Sequence, residues 1–179
     1  MYVSSRILAG ALLLAAPAAF AQTSATAANV PVTARIYKPI SLALNNTGLS
    51  FGDIFTDGTG GDVTLNPQSN TRTTTGPVLA TTGTANAATF TVGGKRNATY
   101  AITLPNDGSV TLTGPGTAMA VSKFTASVAG AAPANPATGL IPNTAGATQT
   151  FQVGGTLTLA ANQVDGDYAG TFNVTVAYN

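Results

Sequence analysis

The sequence predicts an all-β fold, an antiparallel sandwich or barrel, and three observations carry that prediction. Apolar residues recur at every second position, and no stretch beyond the first residues shows the 3.6-residue period of a helix. Turn-forming groups built on Gly, Asn and Asp separate these runs at near-regular spacing. Thr occurs 30 times and Ala 32 times among 179 residues, with 20 Gly, and Thr with Val suits a pleated, half-buried surface. Only 7% of the residues are charged, against about a quarter in an ordinary domain. Disorder couples low hydrophobicity with high net charge; here 44% of the residues are apolar and the net charge is +1, so the chain folds.

Residues 1–21 have the layout of an export signal. Arg6 supplies the positive start, residues 7–16 are an apolar run short for a bilayer, and Ala19-Phe20-Ala21 is a small-x-small cleavage box. Cleavage after Ala21 leaves residues 22–179, neutral once Arg6 is gone and with no membrane span. No Cys follows the apolar run, which excludes lipid attachment there. Neutrality argues against nucleic acid as a partner, since that requires a basic stripe.

From 30 to 44 the even positions are Val30, Val32, Ala34, Ile36, Lys38, Ile40, Leu42 and Leu44, all apolar but one. Pro31 and Pro39 cannot donate to a ladder, so this run is predicted as an edge strand, or as two strand pieces broken near Pro39. Residues 22–36 are an N-terminal segment, and 37–179 are one β-sandwich domain. Further strands are predicted at 49–54, 62–65, 76–80, 88–92, 99–104, 109–113, 118–126, 148–153, 156–160 and 168–178. Turns fall at Asn45–Gly48, Asp57–Gly61, Gly93-Gly94, Asn106–Gly108, Gly114–Gly116, Gly154-Gly155 and Asp165-Gly166, because Gly and Asn accept positive φ. Residues 130–146 are expected to be the one long loop. In the last strand Tyr168, Phe172, Val174, Val176 and Tyr178 share one parity and Thr171, Asn173, Thr175 and Ala177 the other.

Composition also restricts the chemistry. The chain has no His, Cys, Trp or Glu, which excludes Ser-His-Asp and Cys-His catalysis and thiolate or imidazole metal sites. Its six carboxylates are all Asp. Asp53, Asp57 and Asp62 surround a Gly-rich turn, Asp165 and Asp167 flank Gly166, and Lys95-Arg96 follows Gly93-Gly94; all read as turn chemistry. No enzymatic activity, metal or cofactor is expected.

The order of motifs runs from the alternating N-terminal segment through Leu49-Ser50-Phe51-Gly52 and several Thr/Gly-rich strands. It closes on Gly166-Asp167-Tyr168-Ala169-Gly170-Thr171-Phe172 leading into Val174–Tyr178. In this the chain resembles the bacterial secreted family called domain of unknown function 4402. More distantly it resembles the spore coat protein U-like pilins of archaic chaperone–usher pathways, through Tyr178 next to the last residue and Gly166 fourteen places from the end. The cysteine pair of many such pilins is missing.

The pilin resemblance implies an immunoglobulin-like sandwich lacking its last strand, with a hydrophobic groove beside the C-terminal strand. A periplasmic chaperone fills that groove first, and the N-terminal arm of the next subunit then replaces it by strand addition, at an outer-membrane usher. Residues 22–36 are by this resemblance a candidate N-terminal arm or donor strand, with Val30, Val32, Ala34 and Ile36 as the donor-strand candidates. Gly166, Tyr168, Phe172, Val174, Val176 and Tyr178 are the acceptor candidates. The expected function is a self-assembling structural subunit of a cell-surface filament, pilus or coat, exported through the periplasm. The alternative is a self-contained secreted sandwich that binds surface polysaccharide or another protein, against which the absence of Trp counts.

Overall fold

The computed structural model describes residues 24–26, 28–76, 78–79 and 82–179; the expected export signal lies outside them. The chain divides into an N-terminal unit, Met1–Arg35, and a larger one, Ile36–Asn179. In the first, the described residues are all exposed and none belongs to a strand.

The larger unit is a two-layered antiparallel β-sandwich, and its described residues contain no helix. The longer sheet is built on β11 (Thr148–Leu159). Along one edge β11 pairs β9 (Met119–Val128), which pairs β8 (Val110–Leu112). Along its other edge it pairs first β6 (Ala88–Gly93) and then β3 (Gly61–Leu65). Beyond these lie β1 (Ser41–Leu44) beside β6 and β4 (Arg72–Thr75) beside β3. The second sheet has β7 (Thr99–Thr103) between β10 (Ala137–Leu140) and β12 (Thr175–Tyr178). A small ribbon pairs β2 (Ile54–Phe55) with β5 (Val78–Leu79).

The core between the layers collects Phe90 and Val92 from β6, Phe124 from β9, Phe151 and Val153 from β11, and Tyr100 and Ile102 from β7. Phe90 and Phe151 are cross-strand partners, and their rings stack with centroids 5.2 Å apart. Alternation holds in β7 and, as far as Val92, in β6. It breaks in β9, where Met119 and Val121 face the core on one parity and Phe124 and Ala126 on the other. Lys123, at φ 48°, is the reason: the β9–β11 register shifts there, and the added residue turns the rest of the strand over.

Several sequence expectations are corrected. Gly154-Gly155 is not a turn but the interior of one continuous β11. A side chain at Gly154 would meet the Leu65 carbonyl and the Pro67 ring, so the glycine is there to let β3 and the following turn approach. Residues 130–146 are not all loop, because β10 lies within them. Its Gly139 lies opposite Tyr100, and a Cβ there would strike the Tyr100 ring, so a small residue marks close packing. β4 carries no alternating apolar signal and was not anticipated. Residues 30–40 are not in a strand, and of 49–54 only Ile54 belongs to one. The final strand is confined to Thr175–Tyr178, although the alternation of half-buried and exposed residues extends back to Thr171.

Candidate functional site

An apolar groove of about 840 Å³ opens over the inner face of the longer sheet. Its floor is Phe90, Val110, Leu112, Met119, Val121, Phe124, Leu157 and Leu159, from β6, β8, β9 and β11. One wall is residues 47–56 and the other is residues 163–172. Neither wall is a regular strand over most of its length, so side chains hold both in place.

In the first wall, Asn86 Nδ2 donates to the Gly48 carbonyl over 2.6 Å and Ser50 forms an antiparallel bridge with Asn86. Arg72 Nη1 donates to the carbonyls of Phe51 (2.8 Å) and Asp53 (3.0 Å). The backbone at Gly52, at φ 68°, comes so near Arg72 that a Cβ would lie 2.9 Å from Nη1.

The second wall is organised by Tyr168. Its hydroxyl donates to the Val164 carbonyl and accepts from Gln163 Nε2 and the Gly116 N–H. Ala169 exchanges two backbone hydrogen bonds with Thr113, and Gly170 lies where a Cβ would strike the Thr111 carbonyl. Phe172 then packs on Phe124 of the floor, the rings tilted at 36° with centroids 5.3 Å apart.

Downstream, β12 pairs β7 on one side, and among the described residues its other side has no strand partner. Tyr178 closes this segment: its hydroxyl donates to the Lys38 carbonyl (2.8 Å) and accepts from the Lys95 N–H (2.6 Å).

Gly166, Tyr168 and Phe172 therefore line the groove together. Val174, Val176 and Tyr178 pack on the same core but lie beyond the groove lining. Val30, Val32 and Ile36 are exposed at 64%, 93% and 94%, and Ala34 is exposed as well. The first wall escaped the sequence reading. Its signal was Leu49-Ser50-Phe51-Gly52, which reads as an ordinary strand when Arg72 and Asn86, its distant supports, are not known to be near.

The charged residues of the lining are Asp53, Asp165 and Asp167, with no Lys or Arg. Asp57 caps its own turn: the hydroxyl and then the N–H of Thr59 donate to its carboxylate and hold its pKa below the usual value. Among the described residues no three acidic groups are placed to hold a metal ion.

The family model described as a domain of unknown function, DUF4402, matches residues 40–178. The chain belongs to the DUF4402 family. No curated protein and no solved structure matches it, so the likeness to spore coat protein U-like pilins rests on the sequence features alone. The DUF4402 segment holds the floor and both walls of the groove; the exposed run 30–36 lies on its N-terminal side.

Proposed function

We propose that this DUF4402 protein is a non-enzymatic structural subunit of a bacterial cell-surface filament, pilus or coat, exported to the periplasm and joined to its neighbours by β-strand complementation. The observation that carries the reading is the groove. A slot with an apolar floor between two walls and, among the described residues, an edge of β12 without a strand partner both support the reading of a missing strand. The floor is mostly buried, but Leu44, Phe55 and Val164 of the lining are left about half exposed, an apolar patch that suits a partner.

The arm has the chemistry to fill it. Val30, Val32, Ala34 and Ile36 share one face of an extended chain, and burying three or four of them contributes about 4–10 kcal/mol before ordering costs. Thr33 and Arg35 keep their N–H groups for pairing, and Pro31 forfeits only one ladder bond. A chaperone that supplies a temporary strand, and an usher that exchanges it for the next subunit's arm, fit the same geometry.

The test is Val32→Asp in the exported protein, together with deletion of residues 22–36. A charge in the donor face should abolish the ladder of multimers on unboiled gels while leaving folded, chaperone-bound monomer. Intact filaments from Val32→Asp would refute strand complementation by the arm. Loss of folding on deletion would show the arm to be a strand of its own domain.

A further inference from the structure

We infer that successive subunits meet through matched charge: the basic turn at the root of one copy's arm faces the acidic rim of the next copy's groove. The inference rests on the strand-complementation reading and adds to it the surface that surrounds the inserted strand.

The root of the arm is built by Tyr178. Its hydroxyl bridges the Lys38 carbonyl and the Lys95 N–H, and the Lys95 ammonium lies 4.3 Å from the centroid of the Tyr37 ring. These contacts gather Lys38, Lys95 and the adjoining Arg96, all exposed, at one end of the sandwich. Tyr37 is half-exposed beside them.

The second wall of the groove carries the opposite sign. Asp165 and Asp167 are exposed there, while Asp53 on the facing wall has the Arg72 guanidinium on its own carbonyl. Leu44, Phe55 and Val164, also in the lining, are large apolar residues left about half exposed. An apolar patch edged on one wall by acidic charge suits a partner with an apolar segment and the other sign.

Chain length decides that the basic root is that partner surface. Lys38 follows Ile36 by two residues, roughly 7 Å of extended chain. A copy that places Ile36 in its neighbour's groove must bring its own Lys38, and the turn fastened to it, against the rim. Within one copy none of Lys38, Lys95 and Arg96 belongs to the groove lining. The two surfaces are therefore made of different residues, and a contact between the root of one copy and the groove of the next is head-to-tail. Exposed pairs of this kind add little to equilibrium affinity, but they steer encounter and make association sensitive to salt.

Assembly of exported protein from dissociated monomers, followed by light scattering, tests this. Raising salt from about 0.02 M to about 0.5 M should slow wild-type assembly roughly tenfold. The double variant Lys95→Glu/Arg96→Glu should be slowed about as much at low salt and lose most of its salt dependence. Adding Asp165→Lys/Asp167→Lys to it should restore the rate, since opposite charges then face each other again. Unchanged rate and salt dependence in Lys95→Glu/Arg96→Glu would overturn the charge match, as would failure of the fourfold variant to recover. Val32→Asp separates the two ideas: if it still blocks assembly while the charge variants behave as wild type, the strand reading stands and the matched interface does not.

Discussion

The Tyr168 hydroxyl donates to the carbonyl of Val164, four residues earlier, over 2.9 Å. The same oxygen accepts from the Gln163 side chain at 2.7 Å and from the Gly116 N–H at 3.0 Å. A tyrosine that ties back to its own backbone where the chain turns into the last strand is a tyrosine corner, a device of immunoglobulin-like sandwiches. Here the corner is also the second wall of the groove. Tyr168→Phe keeps the ring against Gly114 and Gly116 but leaves these partners without the hydroxyl. It should destabilise the fold by about 1–3 kcal/mol, measured as a lower urea midpoint with an unchanged slope. A slope that falls as well would mean that the wall comes apart before the rest of the domain.

Gly154 lies where β11 exchanges β6 for β3 as its neighbour. A Cβ there would overlap the Leu65 carbonyl, and the Pro67 ring would lie 2.8 Å away. Neither is the far end of a flexible side chain, so the strand itself must shift. Gly154→Val should therefore cost more than about 2 kcal/mol, seen as a loss of soluble protein or a large drop in thermal midpoint. Gly108→Ala is the control for glycine loss in open space: a Cβ there meets nothing within 4 Å, and its φ of 77° makes the cost purely one of backbone.

Tyr100 is fully buried, and its hydroxyl has no hydrogen-bond partner among the described residues. Burial away from water pushes its pKa up from 10.0 to about 12, because the phenolate is the form that loses hydration. In the unfolded chain the group ionises near its ordinary value, so between about pH 10 and 12 the folded state holds the proton more tightly. Stability from this group is complete below pH 10 and is lost as pH rises through the folded pKa. Tyr100→Phe removes an unpaired hydroxyl without emptying the space of the ring. It should be neutral or stabilising at pH 7, and should flatten the alkaline loss of stability followed by circular dichroism.

How far the sequence was legible depends on what set each element. β3, β6 and β7 were found because each pairs over most of its length and alternates its burial, and β9 because it alternates on either side of Lys123. β10 and the join in β11 were missed for the opposite reason: Gly139, Gly154 and Gly155 are there because another group presses on them, and sequence alone reads such glycines as turns. Tyr168 and Phe172 share one parity in the sequence and both line the groove, but the hydrogen bonds of the Tyr168 hydroxyl were not legible, since they depend on Gln163 and Gly116 coming near. The first wall of the groove was opaque, being held by Arg72 and Asn86 from other parts of the chain. For the arm, period two in Val30, Val32, Ala34 and Ile36 shows that one face is made to be buried and says nothing of whose core receives it.

A peptide can settle that last point. The segment 29–38 carries the whole donor face, and the Val32→Asp variant of the full chain offers a groove with its own donor disabled. The peptide should bind that variant saturably, with a Kd on the order of micromolar once ordering costs are set against burial. It should also displace an apolar dye bound in the groove, because the dye and the peptide side chains cover the same half-exposed Leu44, Phe55 and Val164 of the lining. The same peptide with Val32→Asp should do neither, since an unpaired carboxylate buried on an apolar floor is strongly disfavoured. Adding the native peptide to wild-type monomers should cap growth and shorten filaments in proportion to its concentration. Dye displacement without any effect on filament length would show that the groove binds apolar segments but is not the surface on which subunits join.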